Sequence, residues 1–208
     1  MRQLPIDARG YPVPWFVQYV KGEPEFRAMD IRKFRKAIEE RLCWTCGRPL
    51  YAEEVFVIGP MCAVNRISSE PPSHRECAEY AARNCPFLSK PHMHRRKDGG
   101  ISEIIKPSPG VMIERNPGVT LLWYTRRHLL LNIRNRPGAV DGVLFQIARP
   151  FKTEWYCRGR PATREEILES IESGLPILRE AAEKHDGPEG LAYLETQITQ
   201  AYKLLPRS

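Results

Sequence analysis

Two short runs constrain this chain more than anything else in it. LCWTCGRPL places Cys43 and Cys46 with two residues between them, and PPSHRECAEYAAR does the same for His74 and Cys77. Each spacing lets two side chains turn toward one ion, and the 27 residues between the pairs are enough for a hairpin. Three thiolates and one imidazole are a common tetrahedral donor set for a structural Zn²⁺. Any fold open to this sequence must bring residues about thirty positions apart to a single point.

The chemistry of the remaining cysteines depends on the compartment. Six cysteines could make three disulfides in a secreted chain. The opening MRQLPIDARGYP, however, lacks the basic and apolar regions of an export signal. No apolar run approaches the roughly 20 residues that span a bilayer. Reduced thiols serving a metal in a soluble, cytoplasmic protein are therefore expected, with no membrane partner.

The net charge of +7 is unevenly spread. Residues 86–164 carry 15 Lys/Arg against 5 Asp/Glu, hence +10; residues 1–85 carry +2 and residues 165–208 carry −5. A basic middle segment concentrates polyanions, so DNA or RNA is the first partner to consider. The alternative is a solvated basic face beside an acidic helical tail.

Along the chain, VPWFVQYV and EFRAM read as strands joined by the turn KGEP. Asp30 suits a helix N-cap, with Ile31, Phe34, Ile38 and Leu42 on one face leading into Cys43. Gly47 suits the tight backbone of a cysteine knuckle. VFVIGPMCAV reads as strand material interrupted at Gly59 and Pro60, and Ser73 with Glu76 fits a capping box that puts His74 and Cys77 in the first turn of a helix. A knuckle, a hairpin and a ligand pair opening a helix resemble the treble-clef zinc fingers over Leu42 to Arg83. That resemblance implies a fold unit rather than an activity, because treble clefs serve nucleases, ribosomal proteins, DNA binders and adaptors alike.

HNH endonucleases share that unit and add a catalytic metal, with a His that activates water near the end of the first strand. The corresponding stretch VFVIGPMCAVNR holds neither His nor Asp. Asn65 could fill a middle position, but His74 is better used as a ligand, so at most a degenerate HNH-like nuclease fits. Cys62 could replace His74 as a ligand or face the core, and the core reading is favoured. Cys85 and Cys157 lack a partnering His and acid, so no catalytic residue is assigned.

SKPHMHRRKDGG reads as an exposed basic loop in which Arg95, Arg96 and Lys97 suit phosphate contacts. Turn signals from Gly99 to Gly118 mark a linker between a first unit, residues 1–98, and a second, residues 119–208. The second unit reads as strands near Val119 to Tyr124, after Arg127, at 143–149 and at 151–157, followed by helices. Along 151–157, Phe151, Thr153, Trp155 and Cys157 are expected to face inward. Arg126, Arg127, Arg134 and Arg136, with Trp123 and Tyr124 nearby, mix cations and aromatics as a single-strand nucleic-acid surface does. Thr163 and Glu166 form a capping box for a helix that GLP at 174–176 should break or kink, and GPEG should start a last helix. The fold class expected is α+β: a treble-clef-like zinc unit, then an antiparallel sheet covered by C-terminal helices.

The runs MRQLPIDARGYPVPWFV, FVIGPMCAVNR, EPPSHRECAEYAARNCPFL and GRPATREEILESIESGLP also resemble an uncharacterised family of bacteriophage and prophage proteins. That resemblance implies a setting, the cytoplasm of an infected or lysogenic bacterium, and brings no activity. The function expected is non-catalytic: a zinc-stabilised module binding nucleic acid through its basic middle. The alternative is a protein-interaction module that inhibits a host or defence complex.

Overall fold

The computed structural model describes residues 4–89, 109, 116–135 and 140–206. The chain begins with β1 (Val17–Val20) and β2 (Glu23–Met29), an antiparallel pair. Asp30 then caps α1 (Ile31–Glu39), its carboxylate accepting from the Arg32 N–H at 2.9 Å. Phe34 and Ala37 are the buried positions of α1, which ends just before Leu42 and the first cysteine pair.

Next come β3 (Glu54–Ile58), α2 (Pro60–Asn65), β4 (Ile67–Ser68), α3 (Arg75–Asn84) and the single turn α4 (Pro86–Ser89). The expected hairpin between the two ligand pairs is absent. Strand β3 ends at Ile58, and Pro60 opens a helix, because its fixed φ and missing N–H suit the first helical position. Asn65 closes that helix, its side-chain oxygen accepting from the Ile67 N–H at 3.0 Å.

The remaining strands are β5 (Val119–Thr125), β6 (His128–Ile133), β7 (Gly142–Ile147), β8 (Lys152–Cys157) and β9 (Arg160–Pro161), and α5 (Arg164–Tyr202) follows. The strands build two antiparallel sheets with orders β3-β5-β8-β9 and β4-β7-β6. Mixed helices and antiparallel sheets, with helical cover from the C-terminal end, make the fold α+β.

All seven residues of β5 are buried, because helices pack on both faces of its sheet. Successive side chains alternate between faces. Phe56, Ile58, Leu121, Trp123 and Trp155 join the main core with residues from α1, α2 and α5. Val55, Leu122, Tyr124 and Tyr156 point the other way, against Ala78 and Ala82 of α3. The half-polar pattern expected for 151–157 gives way for the same reason: Trp155, Tyr156 and Cys157 are all buried, while Phe151 is 50% exposed. The central sheet thus draws strands from residues 54–58 and from residues 119–161.

The Thr163–Glu166 capping box is present, with the Thr163 hydroxyl accepting from the Glu166 N–H and the Glu166 carboxylate accepting from the Thr163 N–H. Pro176 does not break α5. The interruption falls at Gly187, whose φ of 67° and ψ of −165° are open to glycine alone among common residues. Arg179 and Glu195 form an ion pair at 2.6 Å. In a straight helix they would lie about 24 Å apart. They stand equally far in sequence from Gly187, so α5 is a pair of antiparallel limbs folded about that residue. Leu178 and Leu194 bring the two limbs into the main core.

Candidate metal centre

Cys43, Cys46, His74 and Cys77 come together as the two spacings require: one ligand atom from each lies within 4.8 Å of all the others. The first pair sits on a tight knuckle closed by two backbone bonds, Cys43 N–H to the Arg48 carbonyl at 2.7 Å and Gly47 N–H to the Cys43 carbonyl at 2.8 Å. Gly47 has φ +71°, and a Cβ there would lie 2.6 Å from Cγ of Trp15, so both conformation and space demand glycine. Trp44, between the cysteines, turns inward and stacks on Phe16 with ring centroids 4.7 Å apart, which anchors the knuckle to the core.

The second pair opens α3, one residue later than the capping-box reading placed it. His74 is the N-cap, with no side-chain bond to the helix amides, and Cys77 lies in the first turn. Ser73 is diverted from capping because its backbone bridges Val55 and its hydroxyl meets Thr45 Oγ1 at 2.9 Å. That bridge ties the start of the helix to β3 and sets both ligands opposite the knuckle.

The donor geometry suits a metal ion. The ring of His74 is oriented by a 2.9 Å bond between Nε2 and the Pro49 carbonyl. A carbonyl can only accept, so Nε2 carries the proton and Nδ1 keeps its lone pair, 3.4 Å from the Cys46 sulfur. Tetrahedral bonds of about 2.0–2.3 Å set donor separations of roughly 3.5–3.8 Å, close to that distance. The His74 N–H also points at the Cys43 sulfur at 3.4 Å.

Electrostatics lead to the same conclusion. Hydrogen bonds from Cys46 and Cys77, aided by the His74 and Cys46 amides, hold the Cys43 thiol far below its usual range against the effect of burial. The contacts with Cys43 and Cys46, together with burial, push Cys77 far up, and Cys43 likewise raises Cys46. Three sulfurs this close cannot all ionise without a cation to compensate them. The cluster could hold a metal ion. Cys62 lies outside it, packed against the core, and burial raises its thiol to about 11. Cys157 is buried in the same core.

Of the expected nucleic-acid residues, the three that lie among the described residues are not all in one place. Arg126 and Arg127 sit together on the turn between β5 and β6, and both are exposed. Arg134 is exposed beyond the far end of β6, about 20 Å away at the rise of an extended strand. Arg95, Arg96, Lys97 and Arg136 lie outside the described residues. Trp123 and Tyr124 are fully buried and cannot stack on a base. What joins Arg126 and Arg127 instead is Arg149 with Phe151, from the turn between β7 and β8. These residues, with Thr125 and Ala148, line a cleft of about 270 Å³. Some 23 residues separate the two turns, and only the order of strands in the sheets brings them together.

A second grouping went unread in the sequence. Glu54 on β3 is 1% exposed and accepts from His128 Nδ1 at 2.8 Å and from Arg41 at 3.1 Å. Burial acts to raise its pKa, but the hydrogen bond and charge of His128, followed by Arg41, outweigh burial and bring it below its ordinary 4.5. An acid–histidine pair can act as a general base. Here the imidazole is packed edge-on against Phe56 and Phe145, and the adjoining cavity of about 20 Å³ has room for about one water. The pair is a clamp between the two sheets, since β3 belongs to one and β6 to the other.

Comparison of the chain with protein-family models, with curated proteins and with solved structures returns no match. No helix among the described residues is long and apolar enough to cross a membrane.

Proposed function

We propose that this protein is a non-catalytic, zinc-stabilised module that binds nucleic acid through the basic cleft between the β5–β6 and β7–β8 turns. Zn²⁺ is the ion that best suits three thiolates and an imidazole, and its contribution at Cys43, Cys46, His74 and Cys77 is to fold the knuckle against α3. One observation carries the binding reading. Arg126, Arg127 and Arg149 are exposed around one cleft, and none of them makes an ion pair among the described residues. Five other arginines, Arg27, Arg32, Arg75, Arg160 and Arg179, are each neutralised by a carboxylate, and what sets the cleft apart is that three unpaired ones line it together. Unpaired guanidiniums on a common surface suit phosphates, which they contact at little desolvation cost. A bacterial cytoplasm containing phage or prophage DNA, the setting implied by the sequence resemblance, would supply such a ligand.

The test is an anisotropy titration of labelled DNA and RNA across salt concentrations. Replacing Arg126, Arg127 and Arg149 together with Ala should weaken binding to all sequences alike and lower the salt slope by roughly one unit for each phosphate no longer neutralised. The fold should be unchanged. If the wild-type chain binds neither DNA nor RNA at about 50 mM salt, where screening is weak, the reading is wrong.

A second reading has its own observation. β6 has one strand neighbour, β7, among the described residues, and it exposes Leu129 (65%) and Leu130 (45%). An apolar edge strand of this kind suits pairing with another protein, as an inhibitor of a host or defence complex would require. This reading takes first place if nucleic acid does not bind.

A further inference from the structure

The cleft contains one aromatic ring, which phosphate binding does not use. Phe151 is 50% exposed, although it stands between charged or polar neighbours at the mouth of a basic site. Its ring is held from two sides: Tyr124 meets it edge-on with centroids 6.2 Å apart, and the Arg126 guanidinium lies 5.5 Å from its centre. Its N–H donates to the Tyr124 carbonyl at 3.0 Å, and Pro150 precedes it. The ring is therefore fixed in position while half of it remains in water.

The walls of the cleft are fixed as well. The Thr125 hydroxyl donates to the Arg127 carbonyl at 3.2 Å and lies 3.5 Å from that of Arg149, so one buried side chain spans both turns. The Trp123 indole N–H donates to the Ala148 carbonyl at 2.9 Å. Buried donors thus fix the backbone at Arg127, Ala148 and Arg149 beside the ring. The nearest acid on the adjoining strand, Glu154, is occupied by Lys152 at 2.8 Å and by the Tyr124 hydroxyl at 2.6 Å. It leaves the cleft positive.

From this arrangement, and resting on the nucleic-acid reading above, we propose that the cleft is a single-strand site in which one unpaired base stacks on Phe151 while its flanking phosphates contact Arg126, Arg127 and Arg149. A fixed aromatic ring surrounded by cations is the recurrent device of single-strand binders, because every base has a face to stack and every nucleotide carries a charge. A paired base does not meet the requirement. Its faces are already stacked within the duplex, and reaching a ring between two turns would require extruding it.

The experiment compares a labelled oligothymidine strand with a hairpin duplex of equal charge at one low salt concentration, for the wild type, Phe151→Leu and Phe151→Trp. The wild type is expected to favour the single strand by about tenfold, the size of one base-stacking contact. Phe151→Leu should remove that preference, so that strand and duplex bind alike, and Phe151→Trp should restore it. The Phe151 side chain is half exposed, so the unfolding midpoint should stay near wild type in both variants. Equal affinity for strand and duplex, or a preference that survives Phe151→Leu, overturns the stacking site and leaves phosphate binding standing. Failure of the wild type to bind either probe overturns both.

Discussion

Replacing Glu54 with Ala tests whether the Glu54–His128 pair is the clamp between sheets that its geometry indicates. The carboxylate is almost wholly buried and accepts from His128 and Arg41. A hydrogen bond to a buried charged group contributes about 1.5–3 kcal/mol, and its loss leaves the imidazole donor without a partner. The Arg41 side chain is 62% exposed, so solvent screening limits its bond to about 1 kcal/mol or less. Together these predict a loss of about 3 kcal/mol at pH 7. For a chain of this size that lowers the unfolding midpoint by about 6–12 °C, measurable by circular dichroism. The pH dependence follows from the lowered pKa. The unfolded chain takes up the proton first as pH falls, so the contribution is complete above the ordinary carboxylate value of 4.5 and is lost as pH drops through the lower folded value. The gap between wild type and Glu54→Ala should therefore begin to close as pH falls below 4.5. A variant as stable as the wild type at pH 7, or a gap that does not close as pH falls below 4.5, would refute the clamp.

Elemental analysis of freshly purified protein should find about one zinc per chain, and Cys46→Ser should release it and lower the unfolding midpoint, because metal binding is folding free energy at such a site; a folded sample without metal contradicts this. Gly47→Ala should cost about 2–4 kcal/mol, combining the left-handed conformation with the clash against Trp15, and denaturant titration showing a loss below about 0.5 kcal/mol would count against the knuckle geometry.

What could be read from the sequence was local. The ligand pairs, the Asp30 cap and the Thr163–Glu166 box are fixed by residues two or three positions apart, so their spacing is their structure. Misreadings arose where distant backbone intervened. Ser73 has the sequence of a cap, but its bridge to Val55 shifts the helix start to His74. PMCAVN has the composition of a strand, but no partner strand lies beside it, and the proline makes a helix start the better outcome. Pro176 stays within the helix because packing of Leu175 and Leu178 into the core outweighs the lost hydrogen bond. Glu54 with His128, and Arg127 with Arg149 and Phe151, could not be found by spacing, since strand order alone makes them neighbours.

Strand β5 lies between two helical layers and pairs on one side with a strand that precedes it by about sixty residues and on the other with one that follows it by about thirty. A small cysteine-rich unit with a candidate metal cluster is ordinarily portable, a bead that can be moved from one protein to another. The one formed by the knuckle and α3 is not. The segment linking its two ligand pairs contains β3, whose inner face completes the core that β5 and α5 also form. Excising the knuckle and α3 as a cassette would strip one face from Leu122 and Tyr124, and the remainder would lose an edge of its main sheet. Any relative of this chain should keep or lose both parts together.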